Sequence, residues 1–477
     1  MNTIIKQLDN STITIAQPEL DPLASALRGE LLSPAHADYQ QARQVWNGMI
    51  DKRPALIVRC SGCADVITAV RFAKQHKLLL SVKGGGHNIG GSAVCEGGLM
   101  IDLSAMRSVQ VDPQNQRALV EGGALLGDVD HETQCHGLAV PLGINSTTGV
   151  GGLALGGGYG WLSRAFGHTV DNILSADIVT ADGEFLHLSE QQNPELFWAI
   201  RGGSGNFGIV TRFEFQLHPV GPMLLSGPVI FPIEQAQEVL KNYREIAPQL
   251  PDQASCWFVV RKAPPFPFLD QRHHGQPVLI LAMSYCGDLA SGEQALAPLR
   301  QLGQPLADAV APHPYTGWQA AFDPLLTAGA HNYWKSSDFL QLPDGLIDMI
   351  SAAALSLPSD DCEIFVAQLG GAAGRVAPDA MAYPHRSSCY TMNIHGRWPS
   401  AALDERCISW VREQHVHAEE YATGSVYVNF VPENNEPRKV GPYGANKARL
   451  EKIKAQVDPD NLFRCNINIQ TTSKGAA

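Results

Sequence analysis

Three glycine clusters in the first half of the chain restrict its fold and ligands more than any other feature of the sequence. They are Gly84-Gly85-Gly86, the glycine-rich run Gly149–Gly158, and Gly202–Gly208. Glycine tolerates positive φ and carries no Cβ, so several backbone N–H groups can approach one anion. One such cluster could be a tight turn. Three in one stretch of chain indicate a long, extended ligand covered by backbone along its length.

FAD fits the description of such a ligand, although the usual dinucleotide fold is not indicated. A Rossmann fingerprint needs G-x-G-x-x-G between a first strand and its helix. Gly149-Val150-Gly151-Gly152 departs from that spacing and follows no clear apolar strand. Gly203–Gly208 has the spacing but runs into a strand-like segment. A nicotinamide-dependent dehydrogenase of the Rossmann type is therefore disfavoured.

The apolar pattern predicts an α+β protein with a domain boundary near residues 218–222. Before it, a strand, a helix and a second strand, Leu78–Val82, lead into the first glycine cluster. After it, helices alternate with strands in an order that predicts an antiparallel sheet covered on one side by helices. The predicted strands are Leu224–Phe231, Ser255–Val260, Pro277–Tyr285, Asn332–Leu340, Cys362–Leu369 and Ser388–Trp398. In the last 50 residues, a strand is predicted at Val426–Phe430 and a helix at Ala445–Val457.

Composition excludes several classes of partner. The net charge of −12, from 47 acidic and 35 basic residues, argues against nucleic acid and against an anionic membrane surface. The longest apolar stretches, such as Pro277–Met283, are too short to span a bilayer. The first residues contain no apolar signal region, so a cytoplasmic location is expected. The ten cysteines are scattered, and the close pair Cys60 and Cys63 lacks companion ligands, so reduced thiols and no metal site are predicted.

Four motifs, in order along almost the whole chain, resemble the berberine-bridge-enzyme-like branch of the vanillyl-alcohol oxidase type flavoproteins. The motifs are Lys83-Gly84-Gly85-Gly86-His87-Asn88, the second cluster through Gly160 with Arg164 and Asp171-Asn172, Phe197–Val210, and the terminal stretch that contains Tyr443-Gly444-Ala445-Asn446 and Asp458–Phe463. The resemblance implies an FAD-linked oxidase with a two-part FAD-binding domain and a separate substrate domain. It places the FAD-binding domain at residues 1–222 and 422–477, and the substrate-binding domain at residues 223–421.

The resemblance also assigns residues to the cofactor. His87 matches the histidine that bonds the flavin 8α-methyl group, so covalent FAD is expected. The other cofactor-binding residues implied are Gly84, Gly85, Gly86 and Asn88 at the pyrophosphate, Gly149 and Gly152 in the second cluster, Thr148, Ile209 near the adenine, and Asn429 at the flavin. Many members add a second bond from a cysteine, but Asn145 stands at that position here. A single bond is expected, and a bulky oligosaccharide substrate becomes less favoured.

The expected reaction moves a hydride from a substrate C–H to the flavin, assisted by loss of a proton from a neighbouring OH or NH group. Tyr427 and Tyr159 match tyrosines that face the substrate, although either could be a packed core residue. A phenol acting as the base would need a lowered pKa. Asn393 falls where some members place a catalytic glutamate and could only orient substrate. Lys335, His385 and His395 are further polar candidates, each also explicable as structural.

Several alternatives stay open. Thr148 is modest in size and matches a position beside the flavin carbon that meets oxygen, which favours an oxidase that produces hydrogen peroxide. A flavin dehydrogenase with another electron acceptor and a non-catalytic flavin-binding protein are the alternatives. The substrate is a small molecule that could be an alcohol, a sugar, an amine or a secondary-metabolite intermediate, and the sequence does not predict an oligomeric state.

Overall fold

The computed structural model describes residues 2–432 and 439–471 and confirms the predicted α+β fold. The described residues form five β-sheets together with the helices that connect and cover their strands. The α-helices are Gln17–Ala26, Tyr39–Arg43, Cys63–Gln75, Leu126–Gln134, Val150–Leu155, Ser163–Phe166, Pro194–Ile200, Ala236–Ile246, Leu289–Arg300, Tyr315–Gln319, Asp344–Ala353, Gly371–Arg375, Asp404–Glu419 and Lys447–Val457. Among the helices of the described ranges, none combines the length and apolarity that a bilayer crossing requires.

Two sheets carry the glycine clusters. A four-stranded sheet has the order Glu30–Leu32, Leu56–Arg59, Leu99–Asp102 and Leu80–Lys83, and its last three strands are parallel. An antiparallel five-stranded sheet has the order Phe185–Leu188, Ile173–Val179, Ile209–Gln216, Arg117–Glu121 and Val109–Asp112. The first cluster follows Leu80–Lys83, and the third precedes Ile209–Gln216. Two short antiparallel pairs complete this half: the hairpin of Thr3–Lys6 and Thr12–Ile15, and the pairing of Leu138–Ala139 with the distant His218–Pro219.

The second half is built on one antiparallel eight-stranded sheet. All six strands predicted there are present, with ends shifted by a few residues. The strand order is Ala307–Asp308, Met223–Pro232, Pro277–Tyr285, Ala254–Lys262, Glu363–Gln368, Tyr390–Trp398 and His331–Phe339, and Ala311–Pro314 also pairs with Met223–Pro232.

The two faces of this sheet have different neighbours because successive side chains of a strand point to opposite sides. Phe258 and Val260 belong to the hydrophobic core shared with the covering helices. Trp257, Val259 and Arg261, which alternate with them, line a cavity on the other face. One strand therefore supplies both the core and the cavity wall.

The C-terminal segment packs back onto the glycine-bearing half, since Leu450 and Ile469 share a core with Phe207. The helix predicted at 445–457 is present as Lys447–Val457. The strand predicted at 426–430 is wrong, because Val428–Phe430 forms a 3₁₀ turn in which the Phe430 N–H donates to the Tyr427 carbonyl. The domain boundaries at residues 222 and 421 stay predictions.

Candidate functional site

A cavity of about 740 Å³ lies between the glycine clusters and the open face of the eight-stranded sheet. Its size is typical of a site for a cofactor or a small organic molecule. Its walls come from all three clusters, from the C-terminal segment and from the sheet. Of the predicted cofactor residues, the structure places Gly84, Gly85, Gly86, His87, Asn88, Thr148, Gly149, Gly152, Ile209 and Asn429 on these walls.

The first two clusters touch through their backbones. A Cβ atom on Gly85 would lie 2.3 Å from the Gly149 nitrogen, and one on Gly149 would lie 2.3 Å from the Gly85 nitrogen. Gly86 has φ of +71°, which side chains disfavour. By contrast, the Cβ position of Gly152 has no described atom within 4 Å. Glycine is thus required for the contact at Gly85 and Gly149, and it leaves open space at Gly152.

The third cluster and the C-terminal segment form the other end of the cavity. The Asn206 side chain donates hydrogen bonds to the carbonyls of Gly203 and Ile467, at 2.8 and 3.1 Å. Asn466 donates to the Gly205 carbonyl at 3.0 Å. These bonds bring the segment around Asn466 and Ile467 beside the glycines, where both residues line the cavity. The C-terminal segment therefore completes a wall begun by the first half of the chain.

These walls fit an extended cofactor with a polar chain, such as FAD. Asn466 Oδ1 is buried without a hydrogen-bond partner in the described part of the chain, and Asn466 lines the cavity. Buried polar atoms are normally paired, so this oxygen is available to a polar ligand. Together with the open position at Gly152, it supports a backbone cradle for FAD.

His87 lies on the cavity wall and is packed against Trp46. The two ring centroids are 5.3 Å apart, with an angle of 23° between the planes. The His87 Nε2 atom is 2.9 Å from Thr147 Oγ1, and its Nδ1 atom is 3.5 Å from Thr148 Oγ1. Burial lowers the pKa of His87 to about 4, so the imidazole is neutral near pH 7.

Tyr159 and Tyr427 both line the cavity, with ring centroids 4.8 Å apart. The Tyr427 hydroxyl accepts hydrogen bonds from the Gly158 N–H at 3.1 Å and from the Asn429 amide at 2.8 Å. Burial raises the pKa of Tyr427 to about 12 and that of Tyr159 well above its usual value of 10. Neither phenol therefore has the lowered pKa that a tyrosine base would need.

The structure does not bring Asn393 together with the other predicted residues. Asn393 is fully buried and pairs with Ser336 and Phe365 on the neighbouring strands. It is not part of the cavity wall, whereas Phe365 and His395 are. Lys335 and His385 are also buried outside the wall.

His395 was a candidate from the sequence, but the buried ionic cluster to which it belongs on the cavity wall was not predicted. Arg261 Nη1 donates to Glu363 Oε2 at 2.6 Å, and Glu363 Oε1 lies 3.4 Å from His395 Nδ1. His395 Nε2 is 3.0 Å from Asn332 Oδ1, on the adjacent strand. Glu363 faces His395 directly across the sheet, and Arg261 faces Glu363. The available signal was a charged residue in each of two apolar strands, but only the strand register shows that they meet.

The cluster is surrounded by aromatic side chains. Trp334 packs edge-on against His395 at 4.6 Å between centroids, and Trp161 stacks on Trp257 at 4.5 Å. The remaining Trp, Tyr and Phe residues of the wall are Trp46, Tyr159, Phe266, Phe268, Trp318, Phe322, Phe365, Tyr427, Phe430 and Phe463. The part of the cavity around the ionic cluster is thus largely aromatic with a polar corner, which suits a flat organic molecule with few polar groups.

The fold and the site define a flavin-dependent oxidoreductase, and comparison with known proteins gives the family. Residues 54–189 match the model for the FAD binding domain, and residues 426–470 match the model described as berberine and berberine like. The chain is 30% identical to the (R)-6-hydroxynicotine oxidase of Paenarthrobacter nicotinovorans over 460 residues, which are 93% of this chain and 97% of the relative. It is also 30% identical to an FAD-linked oxidoreductase of Dictyostelium discoideum over 457 residues, 94% of this chain and 96% of that protein.

Solved structures agree. The 6-hydroxy-D-nicotine oxidase of Arthrobacter nicotinovorans superposes with a TM-score of 0.82 at 27% identity, covering 93% of this chain and 98% of that one. A berberine-bridge-like protein of Physcomitrella patens, at 23% identity, shares the fold with a TM-score of 0.85, covering 96% and 100% of the two chains. This chain therefore belongs to the berberine-bridge-enzyme-like FAD-linked oxidoreductases, and the resemblance found in the sequence is confirmed.

Proposed function

We propose that this enzyme binds FAD covalently through His87 and oxidises a small organic substrate at a C–H bond next to an OH or NH group. The observation that carries the proposal is that one cavity joins the glycine clusters, His87 and the buried Arg261–Glu363–His395 cluster. When bound, FAD supplies a two-electron acceptor for hydride transfer. The protein must hold the substrate, accept its proton and exclude water.

The group proposed to accept the proton is His395. The Asn332 amide donates to the Ala330 carbonyl at 2.7 Å, so its oxygen faces His395 Nε2 as an acceptor. The His395 ring therefore lies between two acceptors, with Asn332 Oδ1 at Nε2 and Glu363 Oε1 3.4 Å from Nδ1. A neutral imidazole carries one hydrogen and can donate to only one of them until it accepts a proton. Once His395 has accepted a proton, both ring nitrogens donate, and the adjacent carboxylate of Glu363 stabilises the imidazolium.

The other polar residues have supporting roles in this proposal. Arg261 keeps Glu363 ionised: the neighbouring guanidinium, together with His395, outweighs burial and lowers the pKa of the carboxyl below its usual value. Tyr159 and Tyr427 stay protonated and orient the substrate, with Tyr427 held by Gly158 and Asn429. Asn393 would act on the substrate only through the residues that line the wall.

The proposed substrate is a flat, mainly apolar alcohol or amine. The aromatic walls offer stacking surfaces, and the polar corner at Glu363 and His395 accommodates one OH or NH group. The relatives include a protein named for oxidation of a hydroxynicotine and a chitooligosaccharide oxidase of 24% identity. The lining here supports the first kind of substrate over a long sugar, because a sugar needs many more hydrogen-bonding side chains.

Molecular oxygen is the proposed final electron acceptor, with hydrogen peroxide as product. Thr148, beside His87, is small enough to leave the oxygen approach open. The alternative is a dehydrogenase that passes electrons to another acceptor. An oxidase reoxidises its reduced flavin within seconds of mixing with air and releases peroxide, whereas a dehydrogenase stays reduced until an acceptor such as a quinone is added.

Replacing His87 with alanine is expected to abolish the covalent bond while leaving much of the FAD bound. In the wild-type protein, acid precipitation should give a yellow pellet, and the peptide that contains His87 should carry the mass of FAD. In the variant, the colour should move to the supernatant. A wild-type pellet without flavin would refute the tether, and a wild-type protein that binds no FAD at all would refute the proposed function.

The rate of flavin reduction by substrate is expected to rise with pH and level off near neutrality. Burial lowers the pKa of His395 below its usual 6.5, so the neutral form that accepts a proton already dominates at pH 7. The acid limb of the pH profile should have its midpoint below pH 6.5. If Tyr427 were the base, its pKa of about 12 would make the rate increase about tenfold per pH unit through pH 8 to 11. Anaerobic stopped-flow measurements separate the two profiles.

A further inference from the structure

The polar groups beside His87 form a short hydrogen-bonded chain that ends at Asn145, which itself lines the cavity. His87 Nε2 lies 2.9 Å from Thr147 Oγ1, which lies 2.6 Å from Asn145 Oδ1. The Asn145 amide nitrogen points the other way, to the Leu326 carbonyl at 3.4 Å. Asn145 is itself buried, with 8% of its surface exposed. The acceptor that ends the chain is therefore buried, whereas Thr147, between it and His87, is exposed.

The direction of each hydrogen bond in this chain is fixed. The backbone N–H of Thr147 donates to Asn145 Oδ1 at 3.0 Å, which identifies that atom as an acceptor. The two oxygens 2.6 Å apart need a proton between them, and only the threonine hydroxyl can supply it. The Thr147 hydroxyl thus donates to Asn145 and presents a lone pair to His87. His87 must then donate through its Nε2–H.

The other nitrogen of the ring is left available. With the hydrogen on Nε2, the lone pair of a neutral His87 is on Nδ1. Thr148 Oγ1 is 3.5 Å away, at the outer limit of a hydrogen bond, and engages that lone pair only weakly. Stacking on Trp46 limits rotation of the ring. The imidazole is neutral near pH 7 because burial lowers its pKa.

We propose that Asn145 and Thr147 are positioning residues that fix the tautomer of His87 and so direct covalent attachment of FAD to Nδ1. This inference rests on the proposed covalent function. Bond formation between Nδ1 and the 8α carbon displaces one proton from that carbon and one from the imidazole, and it leaves two electrons on the flavin. Molecular oxygen removes those electrons with two protons, as hydrogen peroxide.

The chain also stabilises the His87 ring while its Nδ1 atom forms the bond to the 8α carbon. As that bond forms, the imidazole gains positive charge, and its Nε2–H becomes a stronger donor. Thr147 Oγ1 is oriented by Asn145 to accept from it. The Nε2–H of the neutral His87 ring therefore already donates to Thr147 Oγ1, the atom that stabilises the imidazolium form.

Substitution of Thr147 by valine tests the inference, because valine keeps the shape and removes the hydroxyl. Covalent attachment of FAD is expected to be at least about tenfold slower in the valine variant, in line with the effect of removing a group that orients a histidine ligand. The rate is measured from the flavin that stays in the acid-precipitated pellet after increasing times. Total bound flavin, from the visible spectrum before precipitation, should stay close to the wild-type level. Thr147→Ser retains the hydroxyl and should restore the attachment rate.

Asn145→Leu provides a second test, since it removes the acceptor that orients the Thr147 hydroxyl. The same slow attachment is expected, measured as the FAD mass on the peptide that contains His87 after incubation of flavin-free protein with FAD. Attachment at the wild-type rate in both variants would overturn the inference. Loss of all flavin binding would also overturn it, because the residues would then build the site rather than select the tautomer. A wild-type protein without covalent flavin would instead refute the tether.

Discussion

Replacement of His395 by alanine is expected to slow reduction of the bound flavin by substrate by about 10²- to 10⁴-fold, the usual contribution of a general base. Flavin content should be unaffected, because His395 lies on the sheet side of the cavity and contacts Glu363 and Asn332. The measurement is anaerobic flavin bleaching in a stopped-flow instrument. The substrate would come from a peroxide-detected screen of aromatic alcohols and amines.

The His395→Ala variant needs a control histidine that lies outside the cavity wall. The role of the neighbouring carboxylate is tested separately. His131→Ala is a suitable control, since His131 is exposed on the helix Leu126–Gln134 and its loss should leave the rate unchanged.

Glu363→Gln keeps the shape but removes the charge that stabilises the imidazolium, so it should slow reduction and move the acid limb to lower pH. If His395→Ala stays within threefold of wild type, His395 is not the base, and one of the tyrosines must be reconsidered.

His87 and His395 have different polar surroundings, although an asparagine oxygen orients a partner of each ring or contacts it directly. At His87 the Asn145 oxygen orients the Thr147 hydroxyl, so that Nε2 carries the hydrogen and Nδ1 keeps its lone pair. At His395 the ring lies between two acceptors, Asn332 Oδ1 and Glu363 Oε1. In each case burial lowers the pKa and keeps the ring neutral. At His87 the lone pair is proposed to bond the cofactor, and at His395 to accept a proton. The surroundings decide between the two outcomes, since Glu363 beside His395 favours protonation.

The features predicted correctly from the sequence depend on local pattern. The glycine clusters indicated a backbone-lined ligand because a missing Cβ is visible in the sequence itself. The six strands of the second half followed from alternating apolar residues bounded by turns. These signals need only a few neighbouring residues, and the structure confirms the resulting fold.

The parts that were missed depend on contacts between distant segments. Arg261, Glu363 and His395 are far apart in sequence and meet only through the register of three strands. Asn393, two positions before His395, was chosen by likeness to the family, but the structure places His395 on the cavity wall instead. The pKa values of Tyr159 and Tyr427 also follow from burial, which the sequence does not reveal.

Substitution of Lys454 by methionine is expected to lower the free energy of unfolding by about 3–5 kcal/mol, the usual cost of leaving a buried charge unpaired. The Lys454 ammonium group is fully buried and donates to Asp458 Oδ2 at 2.6 Å, to the Asn206 carbonyl at 2.7 Å and to the Phe463 carbonyl at 2.9 Å. Methionine fills the space but leaves the Asp458 carboxylate without its cation. Urea unfolding followed by tryptophan fluorescence measures the change.

The effect should also reach the cofactor, because Asn206 belongs to the third glycine cluster and Phe463 lines the cavity. FAD affinity of the Lys454→Met variant is therefore expected to fall together with its stability. Lys452→Met is the matched control, since Lys452 is exposed on the same helix and its replacement should change the stability by less than about 0.5 kcal/mol. Equal urea midpoints for the two variants would show that the C-terminal segment is held mainly by its apolar contacts, such as those of Leu450 and Ile469, and not by this ion pair.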